Sequence, residues 1–217
     1  MEKAKAALKE KHPNASVKVV SVDLTSTAGI ASILADKEVA GNLGIVVNNA
    51  AQFATGPLLS QDPAALHRQH ICNIYAMSLL SVHAKRAFIS QGTSSRYGMI
   101  QIVSKGSDYP HPHVLHQCST KRFNDVFSRS LRYTCRKSDD ANTTDSLVVK
   151  PGLVTTKMAN FKSAGFFTDV PENVAGDCLK ELGVVRETYG SLLHNLLQLK
   201  LAYYPRQYWE WHNAEIG

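Results

Sequence analysis

The chain has 217 residues, 44% of them hydrophobic and 19% charged, which excludes intrinsic disorder and gives room for one ordinary domain with a single well-buried core. Its 24 Lys and Arg against 18 Asp and Glu leave a net charge of +6, suited to an anionic partner such as a phosphorylated cofactor, coenzyme A or a membrane surface. The basic residues are scattered rather than gathered into an arm, which argues against nucleic acid, and Cys72, Cys118, Cys135 and Cys178 have neither metal-like spacing nor a paired framework.

Residues Glu2 to Lys11 have helix-forming composition and stop at His12-Pro13-Asn14. They are basic and amphipathic, but Glu2, Glu10 and the lack of arginine argue against a transit peptide. No secretory signal opens the chain, and no apolar run reaches the roughly 18 residues that span a bilayer. The expectation is a soluble or peripherally attached intracellular protein, with the endoplasmic reticulum surface and the mitochondrion as candidate compartments. Val17 to Leu24, VKVVSVDL, alternates as a strand. Thr25 to Ala40 reads as a helix with Ile30, Ile33, Leu34 and Val39 as its buried side. After the Gly41 to Gly44 break, Ile45-Val46-Val47-Asn48-Asn49-Ala50 reads as a fully buried parallel strand. Asp62 to Ser90 fits one long helix, with Leu66, Ile71, Ile74, Leu79 and Val82 among its apolar positions. Asn73 lies inside it, at a propensity cost of under about 1 kcal/mol.

The apolar run Ile100 to Val103 predicts a short buried strand that delivers Ser104 at its C-terminal end. Pro110 and Pro112 break the backbone, and a helix runs from about Leu115 to Arg136. Its pattern places Lys121, Asp125, Ser128 and Arg132 off the apolar face of Val126, Phe127 and Leu131. A strand-end serine followed by a helical lysine is the skeleton of an acid/base site. Lys137 to Asp145 reads as a polar surface loop, Ser146 to Lys150 as a buried strand, and Pro151-Gly152 as a turn. A partly apolar loop, Lys157 to Thr168, precedes a helix opened by Pro171. The tail, 188–217, carries LLHNLLQLKLAYYPRQYW. It packs on the domain in the first reading, with a partner interface or a membrane surface as alternatives.

These segments, in this order, resemble the short-chain dehydrogenase/reductase family, and within it the hydroxysteroid dehydrogenase and very-long-chain 3-oxoacyl-CoA reductase branch. The resemblance implies an α/β fold, a doubly wound, Rossmann-like parallel sheet in one domain. It places Asp23 against the adenine of NADP(H), although an aspartate before Thr-Ser is also an ordinary helix-start signal. Asn48-Asn49-Ala50-Ala51 matches the family's Asn-Asn-Ala-Gly, with Asn49 and Ala50 lining the cofactor and the asparagines structural first. Asn73 matches the asparagine that bends its helix and holds a water of the proton relay. Ser104 and Lys121 match the serine and lysine of the catalytic set, Lys121 also holding cofactor. Pro151-Gly152-Leu153-Val154-Thr155-Thr156 matches Pro-Gly-x-x-x-Thr, so Thr156 meets the nicotinamide carboxamide. The catalytic tyrosine position is Gln117. In the family that phenol, acidified by the lysine, hands a proton to the substrate oxygen as hydride arrives; an amide has no such proton. His116 could titrate next door but points about 100° away around the helix, and Tyr109 is a phenol on the far side of the two prolines.

The resemblance also implies a strand, a glycine-rich turn and a helix that takes the pyrophosphate. No G-x-x-x-G-x-G segment occurs, so the expectation is an incomplete sheet lacking the first β-α-β portion, on the order of 30 residues. The Val46 strand then has an open edge for a protein partner to cover. Three readings follow. The first is a catalytically inactive relative acting as a binding or scaffold component, with no cofactor in this chain, NADP(H) as its ancestral one and an acyl or steroid ligand inherited. The second is an NADP(H)-dependent reductase of 3-oxoacyl-CoA or steroid ketones. The third is an accessory subunit of a larger membrane-associated assembly.

Overall fold

The computed structural model describes residues 2–92, 95–109, 111, 114–137, 144–156 and 168–202. Four parallel strands form the main sheet: β1 (Ile45–Asn48), β2 (Tyr97–Ile102), β3 (Thr144–Val149) and β6 (Glu187–Thr188), in the order β1-β2-β3-β6. A two-stranded parallel ladder, β4 (Leu153–Val154) with β5 (Thr168–Asp169), lies beside it. The helices are α1 (Glu2–Lys11), α2 (Thr27–Leu34), α3 (Lys37–Gly41), α4 (Pro63–His70), α5 (Met77–Ser90), α6 (Leu115–Lys137), α7 (Pro171–Glu181) and α8 (Leu192–Ala202). No described helix is long and apolar enough to cross a membrane.

Side-chain alternation along β2 and β3 divides the core between the two sheet faces. Tyr97 and Met99 turn toward Ala84 and Phe88 of α5 and Cys135 of α6. Ile100 turns the other way with Leu147 and Val149, against Val174 and Cys178 of α7. Helices thus cover both faces, as parallel sheets require. Gly98 packs closely on the α7 side, where a Cβ would stand 2.6 Å from the Leu182 methyl and oblige that side chain to shift. Asn48 ties β1 in place, its amide donating to Ser81 of α5 at 3.0 Å and to Gln101 of β2 at 2.9 Å.

Several elements depart from the sequence pattern. Val17 to Leu24 forms no ladder: β1 is the edge of the sheet, and no described strand lies where this segment could pair. The segment is tethered by Lys18, which bridges Asp36 at 3.0 Å and also Glu38, and by the carbonyl of Asp23 pressed against Gly29 of α2. The helix expected over Thr25 to Ala40 is two, because the Asp36 carboxylate captures the N–H groups of Glu38 and Val39 and starts α3 afresh. The long helix from Asp62, which caps α4 through Ala64 and Ala65, is continuous, but it widens into a π turn over Ile71–Ala76. The short strands β4, β5 and β6 carry too few residues to announce themselves by periodicity.

The buried faces of the two long helices carry polar residues beside the expected apolar ones: Leu66, Ile71, Ile74, Leu79, Phe127 and Leu131 are partly buried, whereas Lys121, Asp125 and Ser128, expected off the apolar face, are buried. In α6 the buried residues include Thr120, Lys121, Asn124, Asp125 and Ser128, while Val126 is 53% exposed. In α4, α5 and the turn between them, Gln69, Asn73, Ala76, Ser81 and Ala84 are buried and Val82 is exposed. Small and polar side chains face inward because partners there satisfy them.

Candidate functional site

The C-terminal ends of β1, β2 and β3 lie side by side, so the loops carrying Asn49, Ser104 and Pro151 rim one end of the sheet. The amide of Val103 bonds the carbonyl of Val149 at 2.7 Å, and that of Lys105 bonds Pro151 at 3.0 Å, keeping the last two loops in step. Across this rim runs the first half of α6, with Gln117 and Lys121 one turn apart on the same face.

Asn73 occupies the π turn, and its side chain reaches the loop after β1. Its Oδ1 accepts from the Gln52 backbone N–H at 2.8 Å. Its Nδ2 donates to the Gln52 carbonyl at 3.0 Å, to Gln117 Oε1 at 3.2 Å and to Thr120 Oγ1 at 3.2 Å. Gln117 Oε1 also accepts from Nε2 of Gln69 at 2.8 Å. Gln69 is fully buried, and its own carbonyl oxygen has no partner. The structure therefore brings Asn73 and Gln117 into direct contact and adds Gln69, which the sequence did not single out. Gln69 lies one turn before Asn73 in a run of polar helical residues, so no signal in the sequence marks it as the buried one.

Lys121 is 5% exposed. Its Nζ donates to the Ile102 carbonyl at 2.9 Å and meets no carboxylate among the described residues. Burial pushes its ammonium down to about 8, opposed weakly by the Cys72 thiol. A second buried lysine, Lys150, has the contrary surroundings. It lies 2.9 Å from Asp108, 3.0 Å from Glu187 and 3.3 Å from Asp125. Burial alone would lower it, but hydrogen bonds to Asp108 and Glu187 and their charges outweigh that and hold it above its ordinary value. Arg122 and Arg129 close on Asp125 at 3.0 and 2.8 Å, and Arg129 reaches Glu187 at 2.7 Å. Lys150, Arg122 and Arg129 thus face Asp108, Asp125 and Glu187, so charge balances within the network. Lys121 is left without a carboxylate partner among the described residues, which makes it a candidate site residue.

Ser104 stands at the end of β2 as expected, its Oγ accepting from the Gly106 amide at 3.1 Å. That hydroxyl and the Cys118 thiol lie on either side of Gly106, within 3.5 Å of where a Cβ would be, so the serine borders the first turn of α6. His116 turns edge-on to His70 of α4, ring centres 5.7 Å apart. Asp23 is exposed, its Oδ1 accepting from the amide and hydroxyl of Thr25 at 2.8 and 2.7 Å. The Thr25 hydroxyl, then its amide, hold the carboxyl below its ordinary value. Asn49 and Ala50 are exposed beyond β1. Thr156 lies two residues past β4, partly buried. Behind the Pro151-Gly152 turn stands His194 of α8, whose Nδ1 accepts from the Gly152 N–H at 3.4 Å while Nε2 donates to the Leu153 carbonyl at 3.2 Å. The tail thus packs on the domain as far as α8; the aromatic stretch 203–217 lies outside the described residues, as do 157–167 of the loop before α7.

A model of the family described as short chain dehydrogenase matches residues 1–165. The chain is similar to the very-long-chain 3-oxoacyl-CoA reductase of Bos taurus, 28% identical over 185 residues, covering 83% of this chain and 56% of that protein. It therefore spans little more than half of that relative's length. Among solved structures, one of a study of 7β-hydroxysteroid dehydrogenase stereoselectivity superposes with a TM-score of 0.79 at 16% identity, covering 98% of this chain and 82% of that one. A short-chain dehydrogenase from Sphingobium yanoikuyae in complex with NADPH superposes at 0.74 with 19% identity, covering 93% and 77%. At such identities these two speak for the fold, an α/β Rossmann-like sheet. The match of most of the sequence to the family model, with the parallel strand order described above, makes this chain a member of the short-chain dehydrogenase/reductase family.

Proposed function

We propose that the chain is a catalytically inactive short-chain dehydrogenase/reductase relative that binds a carbonyl-bearing ligand of the acyl or steroid kind without reducing it, as a binding or scaffold component. The observation that carries this is position 117, where an amide without a titratable proton stands and its oxygen is engaged by Gln69 and Asn73. The unpaired edge of β1, with Ile45 and Val47 about half exposed, supports a scaffold role, since such an edge offers N–H and C=O groups to another chain.

The residues present fit only half of a nicotinamide dinucleotide. Lys121 and Thr156 suit the ribose and carboxamide end. For the phosphate end, the residues present offer no glycine-rich turn: the first glycine is Gly29, inside α2 and packed on the Asp23 carbonyl. Hydride chemistry is therefore not assigned to these residues. The second reading, an NADP(H)-dependent reductase of 3-oxoacyl-CoA or steroid ketones, draws on Lys121, whose ammonium at about 8 could release a proton near neutral pH.

The test is a titration of the purified chain with a 3-oxoacyl-CoA, following its thermal midpoint, and then an assay with NADPH for ketone-dependent loss of nicotinamide absorbance. At about 100 times the dissociation constant the expected stabilisation is about 2.7 kcal/mol, a rise of several degrees, with no turnover. Turnover would replace this reading by the second. A midpoint that does not move, with no turnover, would overturn both.

A further inference from the structure

The two edges of the main sheet differ in how they are guarded. β6 carries Glu187, which is drawn into ion pairs with Lys150 at 3.0 Å and Arg129 at 2.7 Å. Charge on an edge strand is one of the devices that keep it from pairing with another chain. β1 has no such guard: no Asp, Glu, Lys, Arg or His occurs between Glu38 and Asp62. The Gly44 carbonyl accepts from the Gly98 amide at 3.0 Å, and β1 continues in parallel register with β2. A strand residue points its N–H and C=O to one side and its neighbours point theirs to the other. Gly44 and Val46 therefore direct their main-chain groups to β2, and Ile45 and Val47 direct theirs off the sheet, with no partner among the described residues. The side chains alternate as well. Val46 packs against the Phe88 cluster under α5. Ile45 lies on the α7 face, 3.5 Å from where a Cβ on Gly98 would stand, and it and Val47 stay 52 and 51% exposed.

We propose that β1 is a homodimer interface, to which a second copy of this chain adds its own β1, antiparallel, across a two-fold axis at Val46. The two sheets then become one, in the order β6-β3-β2-β1-β1-β2-β3-β6. The edge is complementary to itself, as an isologous contact requires. With the axis at Val46, Ile45 of each copy stands opposite the partner's Val47, and the outward N–H and C=O groups of that pair bond one another. The two Val46 residues meet as the closer, non-hydrogen-bonded pair. Moving the axis to Val47 would set Ile45 against the partner's Asn49 and give up the cross-strand pair of β-branched side chains. A strand bearing charge of one sign would repel its own copy; this one bears none. The pairing rests on the scaffold role given to the β1 edge above and deepens it by naming what the edge holds, a copy of the same chain rather than a foreign strand.

The experiment measures the mass of the purified full chain, kept reduced, by sedimentation equilibrium across the micromolar range. The expected result is a dimer of the 23.8 kDa chain that dissociates on dilution, with a thermal midpoint that rises with concentration. Val47→Lys, at a half-exposed position, plants a charge on the edge. It should return the mass to 23.8 kDa, keep the circular dichroism of the parent and make the midpoint independent of concentration. Val46→Cys should form a disulfide between copies on mild oxidation, because Cα atoms about 4.5 Å apart in a non-hydrogen-bonded pair fall inside the disulfide range. The parent, with Cys72, Cys135 and Cys178 buried, should not cross-link under the same conditions. A monomer at every concentration, a mass that climbs past the dimer, or a dimer that survives Val47→Lys overturns the proposal. A monomer that still gains stability from 3-oxoacyl-CoA sinks this pairing alone and leaves the ligand reading standing. A dimer that Val47→Lys dissociates, but that reduces ketone with NADPH, ends the catalytically inactive reading and upholds β1 as the interface.

Discussion

Replacing Lys150 by methionine removes an ammonium that is 1% exposed and lies within 3.3 Å of three carboxylates. Methionine fills similar space, so the change isolates the charge. Deleting one partner of a buried pair costs about 3–5 kcal/mol. Arg122 and Arg129 stay close to Asp125 but are themselves about half exposed, and partial compensation puts the expected loss near 3 kcal/mol. For a chain of this size each kcal/mol moves the midpoint by about 2–4 °C, so calorimetry should find a fall of roughly 6–12 °C. The pH dependence has a definite sign. Because the folded ammonium is held above its ordinary value, its contribution is complete below the unfolded pKa of about 10.4 and fades only as pH climbs through the folded one. The gap between parent and variant should therefore be constant from pH 6 to 9 and close in stronger alkali. A loss under about 1 kcal/mol, the level of an exposed pair, or a gap that closes by pH 9, would refute the reasoning.

Lys121 should behave in the opposite sense. With its folded pKa lowered from 10.5 to about 8, the unfolded chain binds more protons between those values and stability rises with pH across that window. Lys121→Met should relieve up to about 3 kcal/mol at pH 7, and urea midpoints should show the gain shrinking by pH 10; a pH-independent difference would sink the idea. Gly29→Ala places a Cβ 2.0 Å from the Asp23 carbonyl and should cost about 1–3 kcal/mol. The Ser26 amide, bonded to that carbonyl at 3.3 Å, should lose hydrogen-exchange protection, and an unchanged midpoint would deny the contact. Gln117→Tyr alone takes the shared acceptor from Gln69 and Asn73 and should destabilise by about 1–3 kcal/mol without giving ketone reduction. Adding Gln69→Leu should recover part of the loss, and a single variant as stable as the parent would argue against the amide cluster.

The order of the large elements was readable because a parallel strand is a continuous apolar run, as at Leu147 to Val149, and because Asp62 and Pro171 mark helix starts by local chemistry; the run Ile45 to Val47 is a strand as expected but not a fully buried one, since β1 is the edge of the described sheet and Ile45 and Val47 are about half exposed. What escaped depends on partners distant in sequence. Hydropathy counts Val126 as core and Asp125 as surface, and Lys150, just past β3 and distant in sequence, reverses that together with Arg122 and Arg129 of the same helix. Val17 to Leu24 has the alternation of a strand but lacks a neighbour to bond. Of the site residues, Ser104 and Lys121 could be placed from a strand end and the helix that follows, and Gln117 from the family resemblance, one turn before Lys121. Gln69 could not, since nothing in a run of polar helical residues tells which one is buried.

The π turn at Ile71–Ala76 holds one residue more than an α-helix of the same rise would. Read as genetics, that surplus is a single codon. A deletion of Asn73 would let the helix close to ordinary α pitch while Ala84 and Phe88 keep their places on Met99, so the fold would survive with the loop at Gln52 untethered and Gln117 held by Gln69 alone. Such a chain should retain the helical circular dichroism of its parent and lose the hydrogen-exchange protection of the Gln52 backbone amide, whose hydrogen bond Asn73 accepts at 2.8 Å. In this architecture the cleft and the scaffold can be inherited or lost separately.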